Sequence, residues 1–194
     1  MFRFIHSSDL HLGKPFGQMP DEARGRLIEA RFAKIGALLD IAEREGASHI
    51  LLAGDTFDAE TPSPATRRQA IRAMASDRGI RWVILPGNHD SLAADELWGT
   101  LAEECPNNVT LALTPEPITL ADGVVLFPAP CPARRAGRDL TAWMDGAETP
   151  EGTIRIGLAH GGVQSFSEDG ADDTLAPSRA TTARLDYLAL GDWH

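Results

Sequence analysis

The feature that most constrains this chain is a recurrence. Short apolar runs that read as β-strands are each followed at once by carboxylate, imidazole or amide side chains. Residues 2–6 (FRFIH) lead into Asp9 and His11, and His49–Ala53 leads into Asp55 and Asp58. Residues 80–85 (IRWVIL) lead into Asn88, His89 and Asp90. Ile154–Ala159 leads into His160, and Asp186–Leu190 into Asp192 and His194. In an open α/β sheet the carboxyl ends of the strands form the crevice where ligands bind. Five separate segments would therefore deliver oxygen and nitrogen ligands to one rim. Gly54, Gly87, Gly161, Gly162 and Gly191 flank them and allow tight turns and close backbone approach.

The stretches between these runs set the fold class. Residues 21–45 place Leu27, Ile28, Phe32, Ile35, Leu38, Leu39 and Ala42 at helical spacing, with Gly46 just past the last of them as a C-cap. Residues 62–77 and 93–104 also read as helices, the first with a proline-rich start. Strand and helix thus alternate through the first half, which predicts parallel strands with right-handed crossovers. Val109–Leu113, Pro117–Leu120 and Val124–Pro128 are short runs broken by Pro, Asp and Gly, and they predict a more antiparallel, meandering sheet. Residues 165–178 are polar and read as a loop.

Composition excludes several alternatives. No apolar stretch approaches the roughly 20 residues needed to span a bilayer. The N-terminus has no signal-peptide pattern, which predicts a protein without membrane attachment. Cys105 and Cys131 form no CxxC pair and read as reduced thiols of a cytoplasmic protein. The formal net charge of −10 argues against a broadly basic nucleic-acid surface. It leaves a phosphate substrate open, because bound cations supply charge that residue counts omit.

The ligand types carry their own chemistry. Carboxylate, imidazole and amide oxygen without thiolate suit Mn, Fe or Zn in a hydrolytic site better than a structural zinc site. There are too many ligands for one ion, and two ions about 3.5–4 Å apart sharing a carboxylate would use them. Each piece alone is weak. Asp55 and Asp58 could equally cap the next helix, and a lone His160 at a strand end is more often structural. The bland reading fails on the conjunction, repeated at each strand terminus.

The series DLH, GDTFD, GNHD, AHG and a terminal G-x-x-H resembles the motif set of the calcineurin-like metallophosphoesterase superfamily. IHSSDLHLGKPF, LLAGDTFD, LPGNHDS and LDYLALGDWH are similar to its SbcD-like branch of DNA repair exonucleases. The resemblance implies a four-layer α/β sandwich of two mixed sheets flanked by helices, formed by residues 1–194 as one domain. It implies hydrolysis of phosphodiester bonds, in DNA or in small molecules and nucleotides. A metal-poor docking domain is the non-catalytic alternative. Asp9, His11 and His194 would hold one divalent cation, Asn88 and His160 the other, and Asp55 would bridge them. His89 would be the non-ligand catalytic histidine, oriented by Asp58 or Asp90. Manganese is the expected cation, with iron or zinc as alternatives. An SbcC-like ATPase partner and a homodimer are implied partners.

The pattern departs from the family twice. Asp192 stands where the family's GHxH has a histidine ligand, which adds negative charge and predicts a preference for harder ions such as Mn or Fe. His194 is the last residue, whereas in the family further strands and a DNA-contacting cap domain follow this motif; the second sheet is therefore expected to be incomplete. Arg134, Arg135 and Arg138 form a basic loop cluster, read as solvated rather than phosphate-gripping. His6 and His49 read as structural, Trp82, Trp98 and Trp143 as core or groove wall, and Trp193 as a wall of the site.

Overall fold

The computed structural model describes residues 1–163 and 174–192. Trp193, His194 and most of the loop expected over 165–178 lie outside the described residues.

The chain runs β1 (Phe4–Ser7), α1 (Asp21–Glu45), β2 (His49–Ala53), α2 (Pro64–Met74), β3 (Arg81–Leu85), α3 (Asp95–Glu104) and β4 (Val109–Leu111). It continues with β5 (Ile118–Ala121), β6 (Val124–Ala129), a 3₁₀ turn (Ala142–Gly146), β7 (Ile154–His160), α4 (Arg179–Thr182) and β8 (Tyr187–Gly191). Among the described residues two four-stranded sheets result, ordered β1-β2-β3-β4 and β5-β6-β7-β8.

Helix α1 forms where the periodicity places it. Phe32, Ile35, Leu39 and Ala42 are its buried residues, and Asp21 and Glu22 in its first turn suit the helix dipole. Gly46 ends it at φ 65°. The Gly46 amide donates to Glu43 O and the Ala47 amide to Ala42 O, a Schellman pairing that satisfies the last carbonyls. Helix α2 is capped by Ser63, whose hydroxyl accepts from the Thr66 amide, with Pro64 in its first turn.

The strands then sort side chains by pleat. In β2 and β3, Ile50, Leu52, Trp82 and Ile84 face the core under α1, α2 and α3. Their neighbours Leu51, Ala53, Val83 and Leu85 face the second sheet, against Leu126, Ile156, Leu158 and Ala189. A smaller core of Phe127, Ala129, Met144, Ala159 and Ala183 lies under the 3₁₀ turn and α4. Helices, sheet, sheet and short helices make the expected four layers.

Two details of the sheets are corrected. The first sheet is wholly parallel rather than mixed, because Val109–Leu111 pairs parallel with β3 instead of joining the second half. The meander is confined to β5–β6, which is antiparallel, while β6, β7 and β8 run parallel. The connections β6–β7 and β7–β8 are long enough to cross over the sheet and carry the 3₁₀ turn and α4, as parallel pairing requires. This places the ends of β7 and β8 on the same side as those of β1, β2 and β3.

Candidate metal centre

The loops after β1 and β2 continue to pair beyond their strands. Asp9 N–H donates to Gly54 O, His11 N–H to Asp55 O, and Leu12 N–H to Thr56 O. Asp58 N–H returns to Leu12 O. This ladder sets Asp9 and His11 beside Asp55. It holds all three in left-handed backbone, at φ 55°, 43° and 52°. Non-glycine residues in that region are strained, and such strain concentrates at functional sites.

Three glycines let the loops close on one point. A Cβ on Gly54 would lie 2.3 Å from His160 Nδ1, and one on Gly87 would lie 2.1 Å from Asp55 Oδ1. A Cβ on Gly191 would lie 2.2 Å from Ala53 O. The Gly-Asp, Gly-Asn and Gly-Asp pairs therefore mark backbone contact between strand ends as much as turns.

The result is a buried cluster. Asp9, Asp55 and His160 each offer a ligand atom, all within 4.8 Å of one another. His160 Nδ1 lies 2.8 Å from Ala53 O. A carbonyl can only accept, so Nδ1 carries the hydrogen and the Nε2 lone pair is turned the other way. Nε2 faces Asp55 Oδ2 at 3.5 Å and Asp192 Oδ1 at 3.7 Å. A lone pair aimed at two carboxylate oxygens beyond hydrogen-bonding distance is repulsive unless a cation lies between them. Asn88 Oδ1 and His160 Nε2 are buried and have no hydrogen-bond partner among the described residues. Buried polar atoms are normally satisfied, so these two fit cation ligands.

His11 approaches from the other side. Its Nε2 lies 3.8 Å from both Asp9 Oδ1 and Asp55 Oδ2. Its Nδ1 lies 3.1 Å from Asp58 Oδ1. A carboxylate beside one imidazole nitrogen favours hydrogen on that nitrogen and leaves the other with its lone pair. His89 packs edge-on to His11, with ring centroids 4.9 Å apart. Its main-chain N–H donates to Asp55 Oδ1 and its ring Nδ1 lies 3.0 Å from Asp58 O. That carbonyl again sets the tautomer, with hydrogen on Nδ1.

Of the two residues expected to orient His89, Asp58 is the one that meets its ring, and it does so through the main chain. The main-chain carbonyl of Asp58 orients it, while the Asp58 carboxylate serves His11. Asp90 is fully buried, and its carboxylate accepts from the Phe57 and Gly87 amides. Burial pushes its pKa up to about 6, against the lowering effect of those two hydrogen bonds. The Asp90 carboxylate thus pins the loops after β2 and β3 together. Trp98 of α3 adds to this by donating to Asp90 O and Ser91 O.

The remaining candidates fall as follows. Asp192 lies at the end of β8 beside His160, and His194 lies outside the described residues. His49 is buried, and His6 Nδ1 meets the Tyr187 hydroxyl at 3.1 Å; both serve the strands. Arg134, Arg135 and Arg138 stand in the loop after β6, all three exposed. Two residues escaped sequence reasoning. Lys14 Nζ lies 3.9 Å from Asp58 Oδ1. Arg31 of α1 donates to Leu10 O and lies over the Phe16 ring, bracing the β1 loop. The one signal for Arg31 is a cation interrupting the apolar spacing of α1.

The calcineurin-like phosphoesterase family profile matches residues 2–194. An uncharacterized metallophosphoesterase, YhaO of Bacillus subtilis, is 35% identical over 98% of this chain and 48% of its own length. The SbcD component of the nuclease SbcCD of Escherichia coli is 34% identical over 47% of this chain and 22% of its own. The DNA double-strand break repair protein Mre11 of Sulfurisphaera tokodaii is 33% identical over 46% of this chain and 22% of its own. The chain spans about half the length of YhaO, and its matches to the other two cover less of theirs. With the ligand-bearing loops converging at the ends of parallel strands, the match places this chain in the calcineurin-like phosphoesterase family, hydrolases that act on phosphoester bonds.

Proposed function

We propose that the 194 residues form one metallophosphoesterase domain, and that it hydrolyses phosphodiester bonds in DNA. The observation that carries this reading is the convergence of Asp9, Asp55 and His160, with His11 facing the same carboxylates. Asp9, His11, His194 and Asp55 would hold one cation, and Asp55, Asn88 and His160 the other. Divalent cations bound there supply Lewis-acid neutralisation of charge at phosphorus and an acidified water.

The chain's own residues do the rest. Asp58 holds His11 in one orientation through Nδ1. His89 keeps Nδ1 on the Asp58 carbonyl, so Nε2 is the nitrogen left for chemistry. In the imidazolium form, Nε2–H donates its proton to the departing oxygen, as a general acid. A groove of about 550 Å³ opens beside Asp9, lined by Phe16, Arg31, Lys34 and Leu38 among others. Lys34 offers a cation there, while Arg31 is engaged with Leu10 O and the Phe16 ring.

The DNA reading draws on SbcCD and Mre11, whose names specify nuclease and strand-break repair. Manganese as the cation, cytoplasmic location, an SbcC-like ATPase partner and a homodimer belong to this same proposal. Among the described residues no helix is long and apolar enough to cross a membrane. The net charge of −10 favours a second reading, a phosphodiesterase or phosphatase for small molecules or nucleotides.

A manganese-supplemented assay comparing single-stranded DNA, duplex ends and a bis-aryl phosphate separates these. Cleavage of DNA supports the first reading, and cleavage of the aryl ester alone the second. Activity on none, with metal bound, points to a docking domain. His89→Ala is expected to lose at least about 100-fold in turnover while keeping both metals. Loss of metal in that variant would make His89 a ligand and remove its acid role.

A further inference from the structure

Asp192 combines two contacts that no single motif explains. Its main-chain N–H donates to Asp9 Oδ2 at 3.1 Å. Its side-chain Oδ1 lies 3.7 Å from His160 Nε2, which is itself 3.5 Å from Asp55 Oδ2. The backbone therefore steadies a carboxylate of one cation position while the side chain reaches into the other. Gly191 permits this, since a Cβ there would strike Ala53 O and Ser8 Cβ. His160, more than nine-tenths buried, aims its Nε2 into the same space without a hydrogen-bond partner among the described residues.

We propose that Asp192 is an oxygen ligand of the Asp55–Asn88–His160 cation position and shifts the relative affinity of that position from Zn²⁺ toward Mn²⁺. This rests on the two-cation reading given above. The donor set becomes three oxygens and one nitrogen. Carboxylate and amide oxygen suit manganese and magnesium, whereas imidazole suits zinc, copper and iron. A histidine at 192 would make the set two oxygens and two nitrogens and shift it toward zinc. Charge acts in the same direction. Asp9, Asp55 and Asp192 against two divalent cations leave one net positive charge, and a neutral residue at 192 would leave two. The third carboxylate thus strengthens cation binding, at the cost of weaker attraction for a phosphate.

The test uses chelator-stripped protein titrated with Mn²⁺ and Zn²⁺, separately and in competition, with Mn²⁺ followed by its paramagnetic resonance. Asp192→Ala keeps the main-chain N–H to Asp9 and is expected to weaken one Mn²⁺ equivalent by at least about tenfold. Asp192→His is expected to raise the Zn²⁺-over-Mn²⁺ affinity ratio by about tenfold or more. Asp192→Asn, nearly isosteric, keeps an oxygen donor and is expected to retain the preference with weaker binding. Thermal melts of the metal-free variants check that each is folded, and the asparagine variant carries the test if the others are not. Wild-type affinities and preference in all three variants would overturn the proposal. Wild-type protein that binds neither cation would instead bring down the two-cation reading, and this inference with it.

Discussion

Gly87→Ala tests the close approach on which the site is built. The added Cβ would lie 2.1 Å from Asp55 Oδ1, 2.3 Å from Asp55 N and 2.9 Å from Asp55 Cγ. The obstacle includes backbone, so no rotation of a side-chain tip relieves it. Overpacking a tight interior costs about 1–3 kcal/mol, and a clash with main chain belongs at the upper end. For a domain of this size, about 3 kcal/mol lowers Tm by roughly 6–12 °C. The same shift would displace the Asp55 carboxylate, which holds the His89 amide and faces both His11 and His160. Metal binding should therefore weaken along with the fold. Ligand binding at 100 times Kd adds about 2.7 kcal/mol of stability, so the gain in Tm on adding Mn²⁺ should shrink markedly in the variant. Circular-dichroism melts of wild type and variant, each with chelator and with Mn²⁺, measure both effects. Gly99→Ala is the control, since nothing lies within 4 Å of its Cβ position. Gly87→Ala melting with the wild type, with an equal gain on Mn²⁺, would refute the proposed contact between the β2 and β3 loops.

Further outcomes follow from other contacts. Gly36 lies inside α1 with open space at its Cβ position, so Gly36→Ala should stabilise by about 0.5–1 kcal/mol in a urea titration. Asp58→Ala removes the carboxylate beside His11 Nδ1 and should weaken divalent-cation affinity about 10–100-fold in a calorimetric titration. Because the Asp58 carbonyl remains, His89 should keep its orientation in that variant. Burial lowers the pKa of His6 and of His49 below the ordinary value of 6.5. The unfolded chain then binds more protons below that pH, so stability from these residues is present above it and is lost as pH falls through the folded pKa values. Asp90, raised to about 6, acts in the opposite direction over the same window, so the loss is read as the difference in melts of metal-free protein from pH 8 to 5 between wild type and a variant with both histidines replaced by glutamine.

Much of this architecture was legible because local chemistry and tertiary need coincide. The apolar spacing of α1 and its end at Gly46 are properties of one segment, and the helix spans Asp21–Glu45 as its residues dictate. The first three strands were readable as apolar runs with a breaker behind them, and the rim location of Asp9, His11, Asp55, Asn88 and His160 follows from strand polarity. The pairing of the second sheet was not legible. Short runs split by Pro and Gly look alike whether they meander or cross over, and only the packing of the 3₁₀ turn and α4 decided that β6, β7 and β8 run parallel.

The division is sharpest inside the site. Residue order was enough to say which donor types reach the rim and in what succession, because each donor follows its strand within a few residues. Which atom each donor presents was settled by folding alone. Asp58 serves His11 with its carboxylate and His89 with its carbonyl, and Asp90 turns away to hold two amides. Asp192 reaches Asp9 with its backbone and His160 with its side chain. These choices join segments far apart in the chain, and they depend on the few ångströms that Gly54, Gly87 and Gly191 leave open between strand ends.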